Sequence, residues 1–365
     1  MDLDELISEN ISDHFPYVPG IQPLETKKFV KLNTNENPYP PSSLISHGII
    51  DQINNLRFYP DSSSLKLRQS IARLHDVHPD QVIIGNGSDD ILNLCVRCFS
   101  DKTKPVGFYE PSYSLYKVLA SLNGSKTRRV SFKDEMFQID PDSIIQKDTN
   151  IFFITTPHAP SGRTYENSIF SAILEKYSGI LVLDEAYADF AKNNALELLD
   201  RSQRLIITRT LSKSYSLAGL RVGYGVSSKE IISVLNQARE VYNIDRFAQY
   251  IAETSLKDRD YFSNNLSKII KNREKLFLTL QNWGWKTYES GANFLFTRPV
   301  DCFGNYGASI AKKAFEFLTE NQIFIRYFPE HDLTSSYLRI SIGKQEELDM
   351  LTECLQKWQT IDQRV

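Results

Sequence analysis

Short, unbroken apolar runs that alternate with segments of helical spacing are the feature of this 365-residue sequence that most restricts its fold. These runs are residues 81–85 (QVIIG), 105–110 (PVGFYE), 150–155 (NIFFIT), 179–185 (GILVLDE), 204–210 (RLIITRT) and 221–226 (RVGYGV). Several lack polar alternation, which is typical of strands buried on both faces. The intervening segments with helical spacing include residues 63–75, 88–100, 112–122 and 165–177. The pattern predicts an α/β fold, with a mostly parallel sheet and helices on both faces.

The arrangement of predicted elements changes after about residue 245. A helical stretch over residues 246–282 is followed by short strands and helices in mixed order, which is typical of a small α+β domain. The first 35 residues contain several prolines and no long periodic element, so we expect an arm that packs against another surface. The predicted division is an N-terminal arm over residues 1–35, a large domain over 36–250 and a small domain over 251–365.

Composition excludes several classes of function. The sequence has 42 Lys and Arg against 45 Asp and Glu, so nothing in its net charge of −3 suggests nucleic acid or an anionic membrane as a partner. No apolar run approaches the roughly 20 residues that span a bilayer, and the acidic start lacks the features of a signal peptide. We therefore expect a cytoplasmic protein. Cys95 and Cys98 form a CxxC without a second ligand pair, so we expect buried thiols and no metal.

Residues 85–90, GNGSDD, follow one predicted strand and open the next predicted helix. Backbone N–H groups at a helix start bind phosphate, and glycine allows the backbone to approach it closely. The segment lacks the G-x-G-x-x-G spacing and the P-loop lysine, so a dinucleotide or ATP site is a weak alternative. Taken alone, Ser88 and Asp89 indicate no more than a helix N-cap.

Polar residues also follow the strand at 204–210. Hydroxyls and a guanidinium surround a lysine there, in the set Thr210, Ser212, Lys213 and Arg221. This set describes an anion site with a reactive amine inside it, because neighbouring cations lower the pKa of a lysine and make it a nucleophile. Taken alone, the segment is also explained by a solvated loop.

Asp184 ends the strand at 179–185, and Tyr187 follows three residues later. Ligands of open α/β sheets bind outside the carboxyl ends of the strands, where this carboxylate lies. For Asp184 alone, a helix N-cap or a surface acid is the preferred interpretation.

In order and spacing, these residues together resemble the fold type I aminotransferases of class I and II, which use pyridoxal phosphate (PLP) and work as homodimers. The turn at 155–162 (TTPHAPSG) falls where that family has its Asn-Pro-Thr-Gly-type turn, and the resemblance runs from about Tyr17 to Gly343. Several segments are similar to the branch that transfers the amino group of histidinol phosphate to 2-oxoglutarate in histidine biosynthesis. They are residues 16–20, 31–42, 57–61, 85–89, 209–224, 241–249, 323–328 and 338–343.

The resemblance implies a role for each cofactor-binding residue. Lys213 would hold PLP covalently and move the substrate proton, Asp184 would face the pyridine nitrogen, and Tyr187 would hydrogen-bond the ring 3′ oxygen. Tyr113 matches the aromatic residue that stacks on the ring, although a core aromatic is its alternative reading. The phosphate would be held by Ser88, Asp89, Thr210, Ser212, Arg221 and, from the neighbouring subunit, Tyr59.

The substrate would meet Arg339, whose fork suits either a carboxylate or a phosphate. Arg326 and Tyr17 are the candidates to complete its phosphate site, with a structural ion pair as the alternative for Arg326. One departure from the family is Ala159, which replaces the asparagine that usually donates to the ring 3′ oxygen. His158 or a water molecule is the candidate substitute for that donor.

Two enzymatic alternatives and one non-enzymatic alternative accompany this interpretation. A decarboxylase of threonine phosphate shares the scaffold and also needs a phosphate site, and an aminotransferase for aromatic amino acids is a nearer neighbour. Release of carbon dioxide would identify the first, and substrate profiling the second. A non-enzymatic, regulatory member of the fold is disfavoured because Asp184, Tyr187, Lys213 and Arg221 are all present and no DNA-binding helix pair is appended.

Overall fold

The structure is a computed structural model that describes residues 3–12, Pro16 and residues 29–360. Its strands are β1 (Val30–Lys31), β2 (Val82–Asn86), β3 (Val106–Glu110), β4 (Thr127–Ser131), β5 (Ile151–Thr155), β6 (Ile180–Asp184), β7 (Leu205–Thr210), β8 (Val222–Val226), β9 (Lys286–Thr287), β10 (Phe294–Arg298), β11 (Ile323–Phe324), β12 (Arg326–Tyr327) and β13 (Leu338–Ser341). Its α-helices are α1 (Glu9–Ser12), α2 (Ile49–Asn54), α3 (Leu65–His75), α4 (Ser88–Phe99), α5 (Leu115–Leu122), α6 (Pro141–Ile145), α7 (Asn167–Lys176), α8 (Lys229–Ala238), α9 (Arg246–Lys257), α10 (Arg259–Asn282), α11 (Ala308–Glu320) and α12 (Gln345–Thr360).

The large sheet has seven strands in the order β2-β8-β7-β6-β5-β3-β4. Strand β8 runs antiparallel to β2 and β7, whereas the other neighbours are parallel, which confirms the predicted mostly parallel sheet. All six predicted strands of this part are present. The register places Thr155, Asp184 and Thr208 side by side on β5, β6 and β7, so their side chains share one end of the sheet.

Both faces of this sheet are buried, because alternate residues of each strand point to opposite sides. On β5, Ile151 and Phe153 join one apolar cluster with α4, α5 and α8. Phe152 and Ile154 join another cluster with α6 and α7. This burial explains why the central strands read as continuous apolar runs in the sequence.

Strand β4 was not predicted, and its position explains why. It lies at the sheet edge beside β3, and its sequence TRRVS buries only Val130. A half-exposed edge strand with two arginines has no continuous apolar run. The predicted helical stretch over 246–282 is divided into α9 and α10 at Asp258, whose side chain accepts a hydrogen bond from the Tyr261 N–H and caps α10.

The C-terminal part forms a second sheet with the order β12-β13-β10-β9, antiparallel throughout. Helices α10, α11 and α12 contribute to the apolar cluster that lies against it. Strand β1 pairs in parallel with β11, so residues 30–31 are hydrogen-bonded to this C-terminal part. The proposed domain boundaries at residues 35 and 250 stay predictions.

Cys95 is fully buried, as expected, whereas Cys98 is only half-buried, and both are free thiols. Burial raises the pKa of the Cys95 thiol. Among the described residues, no group of His, Cys, Asp and Glu is arranged to hold a metal ion. Within those same stretches, none of the helices has the length and apolar character needed to cross a membrane.

Candidate active site

Lys213 lies in the segment that leads from β7 to β8, at the same end of the sheet as Asp184. Its Nζ donates to the carbonyl oxygen of Thr34 at 3.1 Å. Burial is the main reason that the pKa of Lys213 falls to about 8, and the positive charge of Arg339 lowers it further. A lysine with this pKa has a substantial neutral fraction near physiological pH, so its amine can act as a nucleophile.

Asp184 is the last residue of β6 and is almost completely buried. Its Oδ2 accepts from the Tyr116 hydroxyl at 2.8 Å, and its Oδ1 accepts from Thr208 Oγ1 at 3.3 Å. Burial raises the pKa of Asp184 to about 6, while the Tyr116 hydrogen bond acts in the opposite direction. The site therefore holds a carboxylate that is ionised at neutral pH but is poorly solvated.

Tyr187 lies just beyond Asp184, and its ring packs edge-on against Phe294 with 5.1 Å between ring centroids. Its hydroxyl accepts a hydrogen bond from Asn35 Nδ2 at 3.0 Å. Asn37 Nδ2 donates to the carbonyl oxygens of Lys213 and Ser214 at 3.0 and 3.1 Å. Asn35 and Asn37 therefore contact Tyr187 and Lys213, respectively, both of which were identified from the sequence.

The predicted anion-binding residues come together at the start of α4. Thr210 Oγ1 bonds to Ser212 Oγ at 2.9 Å, and Arg221 Nη1 donates to the same Ser212 oxygen at 3.3 Å. Gly87, immediately before Ser88, has φ +81°, and a Cβ there would lie 2.5 Å from Arg221 Nη2. Glycine is therefore required for the guanidinium to lie over the helix start.

The carboxylate of Asp89 is bound on both oxygens. Arg221 Nη2 lies 3.1 Å from Oδ2, and the Tyr113 hydroxyl donates to Oδ1 at 3.1 Å. A carboxylate repels an anion, so a phosphate at this position would be bound by the backbone N–H of Asp89 rather than by its side chain. Tyr113 also packs edge-on against Tyr116, with centroids 5.7 Å apart.

Arg339 and Arg326 are opposite one another on the antiparallel pair β12–β13. Their guanidinium carbons lie 5.2 and 5.6 Å from the centroid of the same ring, Phe328. Arg339 also lies over Phe294 at 5.2 Å and donates from Nη2 to the Asn33 carbonyl at 3.2 Å. The structure thus brings together the two arginines that the sequence proposed for substrate.

The remaining predicted residues are His158, Tyr59 and Tyr17. His158 is buried, and its ring nitrogens bond to Ser161 Oγ at 2.7 Å and to the Pro111 carbonyl at 2.9 Å. Those bonds argue against His158 as a cofactor donor, and burial lowers its pKa to about 4. Tyr59 is 77% exposed and stacks on Tyr242 with centroids 4.5 Å apart. Tyr17 lies outside the described residues.

Several polar residues of the site were not identified from sequence. Tyr116 lies three residues after Tyr113, and this helical spacing could have indicated that it faces the sheet. Thr208 is hidden inside an apolar strand, where only the register with Asp184 reveals it. The residues around Asn35 contact the site by tertiary folding, and local sequence carries no signal for that.

The fold and the residues of this site agree with a match to a known family of enzymes. The family model for aminotransferase class I and II matches residues 27–355, which is most of the chain. The chain belongs to this family.

Relatives are similar over nearly the whole length. The histidinol-phosphate aminotransferase of Syntrophotalea carbinolica is 39% identical over 343 residues, which cover 93% of this chain and 96% of that protein. The protein of the same name from Microcystis aeruginosa is 39% identical over 341 residues, covering 93% and 95%. The crystal structure of histidinol-phosphate aminotransferase from Sinorhizobium meliloti in complex with pyridoxal-5′-phosphate matches with a TM-score of 0.86 at 24% identity, covering 96% of each chain. That likeness confirms the predicted fold class.

Proposed function

We propose that this chain is a PLP-dependent aminotransferase of histidine biosynthesis. It would convert L-histidinol phosphate and 2-oxoglutarate into imidazole-acetol phosphate and L-glutamate. The relatives that are 39% identical carry the name of this enzyme and support the choice of substrate. The buried amine of Lys213, whose lowered pKa reflects burial and the nearby Arg339, is the structural observation on which the proposal rests.

The donor set of the site fits PLP. An aldehyde needs a neutral amine, and Lys213 supplies one through its lowered pKa. A pyridine nitrogen needs a buried carboxylate, which Asp184 supplies. A phosphate needs a helix start with hydroxyl and guanidinium donors, which Ser88, Ser212 and Arg221 supply. When bound, PLP supplies an electron sink for negative charge at the substrate Cα.

The chain's own residues would perform the remaining steps. The Lys213 amine, released when substrate binds, would accept the proton from the substrate Cα and return one. Asp184 would favour a protonated pyridine nitrogen through its negative charge. Tyr187 would donate its phenol proton to the ring 3′ oxygen. Because the end of the sheet that carries these residues is largely buried, each of these electrostatic interactions is stronger than it would be in water.

Arg339 would recognise both substrates. L-histidinol phosphate has a phosphate and no carboxylate, whereas glutamate and 2-oxoglutarate have carboxylates. A guanidinium fork forms paired hydrogen bonds with either group, and Arg326 on the neighbouring strand adds a second positive charge. Tyr17 remains a proposed contributor to the same phosphate site.

We further propose that the enzyme is a cytoplasmic homodimer whose sites take Tyr59 from the partner. An exposed apolar surface supports the dimer. It comprises Ile50, Ile53, Leu56, Phe58, Tyr59 and Tyr242, each of which is about half exposed or more. Scattered apolar residues are ordinary on a surface, but five of these lie within residues 50–59 and Tyr59 stacks on Tyr242, a concentration that is typical of an interface. Analytical ultracentrifugation tests the dimer, and cell fractionation tests the location.

One absorbance experiment tests the proposed reaction. L-histidinol phosphate is added to the purified, PLP-loaded protein, and 2-oxoglutarate is added afterwards. We expect the cofactor spectrum to change with the first compound and to recover with the second. An unresponsive spectrum would contradict histidinol phosphate as substrate. Parallel samples with threonine phosphate, assayed for carbon dioxide, and with aromatic amino acids would then identify the decarboxylase or the aromatic aminotransferase.

A further inference from the structure

Residues 33–37, which we call the site segment, contact strand β13 and the segments that follow β6 and β7. Three successive residues of this segment each contact a different candidate site residue. The contacts are Arg339 Nη2 to the Asn33 carbonyl (3.2 Å), Lys213 Nζ to the Thr34 carbonyl (3.1 Å) and Asn35 Nδ2 to the Tyr187 hydroxyl (3.0 Å). A single short segment therefore contacts the guanidinium of Arg339, the amine of Lys213 and the phenol of Tyr187.

Asn35 is the most constrained residue of the site segment. It is almost completely buried, and its φ of +56° lies in the left-handed region, which asparagine tolerates better than most residues. Its carbonyl accepts from Asn293 Nδ2 at 2.9 Å. Its backbone N–H donates to Ser341 Oγ at 2.9 Å, and Ser341 Oγ in turn donates to Asn35 Oδ1 at 2.9 Å.

These bonds fix the direction of the Asn35 amide. Ser341 Oγ accepts the backbone N–H of Asn35 and donates its own proton to Oδ1 of the Asn35 side chain. With Oδ1 held by a donor, Nδ2 is the atom that faces Tyr187. Since an amide N–H donates to the Tyr187 oxygen, the phenol proton must point away from Asn35.

We infer that Ser341 and Asn35 are positioning residues that direct the phenol proton of Tyr187 toward the ligand site. This inference rests on the proposed function, in which Tyr187 donates to the ring 3′ oxygen of PLP. Ser341 lies two residues after Arg339 on β13, so both side chains are on the same face of that strand. Strand β13 would therefore bind the substrate anion through Arg339, and its Ser341 begins the chain of hydrogen bonds that reaches Tyr187.

The test is the spectrum of bound PLP in the Asn35→Asp variant at about pH 8, where a carboxylate is ionised. A carboxylate cannot donate to Tyr187 and attracts its proton instead, so the ring 3′ oxygen loses a donor. We expect the ratio of protonated to unprotonated cofactor bands to rise about threefold to tenfold. Asn236→Asp makes the same change on α8, where Nδ2 bonds to the Ile232 carbonyl, and should leave the ratio unchanged.

Further variants separate positioning from general damage. Ser341→Ala should shift the ratio in the same direction, and Ser341→Thr, which keeps the hydroxyl, should restore it. In a Tyr187→Phe background, Asn35→Asp should produce no additional shift, because the phenol through which it acts is absent. Ser341→Ala and Ser341→Thr also serve if Asn35→Asp does not fold.

The possible outcomes are distinct. An unchanged ratio in Asn35→Asp, or an equal shift with and without the Tyr187 phenol, would overturn the inference while leaving the proposed function intact. Failure of the wild-type protein to develop any cofactor band would instead overturn the proposed function.

Discussion

The hydroxyl of Tyr116 donates to Oδ2 of Asp184 at 2.8 Å inside the core of the large sheet. Thr155 Oγ1 lies 2.6 Å from the same hydroxyl, so the phenol both receives and donates a hydrogen bond. Burial and the charge of Asp184 raise the pKa of Tyr116 well above its usual value. The Tyr116 phenol therefore keeps its proton and remains a donor to the Asp184 carboxylate throughout the neutral and mildly alkaline pH range.

The Tyr116→Phe variant should have a lower catalytic efficiency, because it removes the donor to Asp184. A hydrogen bond to a charged group is worth about 1.5–3 kcal/mol, so we expect kcat/KM to fall about 10-fold to 100-fold. The lost bond lowers the pKa of Asp184 in the wild type, so its pKa should rise further in the variant. The acidic limb of the pH profile of kcat/KM should consequently move to higher pH.

Tyr109→Phe is the matched control for this variant. The Tyr109 hydroxyl bonds to the Asp140 carbonyl and to Ser143 Oγ, so the control removes a buried phenol that serves other partners. If Tyr109→Phe moved the acidic limb as far as Tyr116→Phe, the shift could not be assigned to Asp184.

Attachment of PLP to the cofactor-free protein should depend on pH through Lys213. Its pKa is lowered from 10.5 to about 8, so the amine is protonated below that pH and neutral above it. The neutral amine is the nucleophile, and the attachment rate should therefore rise through about pH 8 and then level off. The measurement is the rate at which cofactor absorbance develops after mixing, from about pH 6 to 10.

A pair of arginine variants tests the cause of that lowered pKa. Arg339 is the largest contributor after burial, so Arg339→Gln should raise the pKa of Lys213 and move the midpoint to higher pH. Arg326→Gln removes the same charge from the opposite strand and should leave the midpoint nearly unchanged. Equal movement in both variants, or none in Arg339→Gln, would contradict this account.

Much of the fold could be predicted because strands that are buried on both faces appear in the sequence as continuous apolar runs. Strand β5 is buried on both faces, and its residues 151–155 are apolar apart from the last. Strand β4 carries no such signature, since its arginines are exposed at the sheet edge. The pairing of β1 with β11 joins residues almost 300 positions apart, and two-residue strands have no periodicity to detect.

The site shows the same division between local and long-range information. Lys213 and Arg221 were identified because they follow a strand at a fixed spacing along the chain. Tyr116 and Asn35 were not, because their roles arise from hydrogen bonds to residues 68 and 152 positions away. His158 was named because the neighbouring Ala159 cannot donate, and only the folded structure reveals that its ring nitrogens already bond to Ser161 and to the Pro111 carbonyl.

The ion pair between Arg209 and Glu185 should be important for stability. Arg209 Nη2 lies 2.6 Å from Glu185 Oε2, and the two side chains are only 6% and 1% exposed. Removing one partner leaves a buried charge with too little compensation, which costs about 3–5 kcal/mol. For Glu185→Ala we expect Tm of the cofactor-free protein to fall by about 5–10 °C, measured by calorimetry.

Two comparisons check that expectation. Glu110→Ala breaks the Arg129–Glu110 pair, whose side chains are 55% and 31% exposed, and should change Tm by about 2 °C or less. Replacing both Arg209 and Glu185 by apolar residues should recover much of the lost stability, because neither of these two buried charges is left without its partner. Asp189, which Arg209 also contacts at 3.5 Å, is 27% exposed and keeps the hydrogen bond from Ser214. A double variant that is less stable than Glu185→Ala would contradict the electrostatic explanation.

Tyr59 gives the sharpest test of a site shared between two copies of the chain. It is exposed and stacks on Tyr242, and the carbonyl of Tyr59 accepts from Arg246 Nη2 at 2.9 Å, which holds this surface in place. If Tyr59 completes the partner's site, both Tyr59→Ala and Lys213→Ala should be impaired as pure variants. Mixed dimers, however, would contain one site with an intact Lys213 and an intact Tyr59.

Unfolding and refolding the two variants together should therefore restore activity that neither has alone. Random pairing gives about half mixed dimers, each with one complete site, so about a quarter of the wild-type activity is expected. Mixing Lys213→Ala with Asp184→Ala is the control, because both of those residues belong to the same chain's site and each mixed dimer would lack a complete one. If refolded Tyr59→Ala and Lys213→Ala mixtures gained no activity over that control, Tyr59 would act within its own chain or not at all.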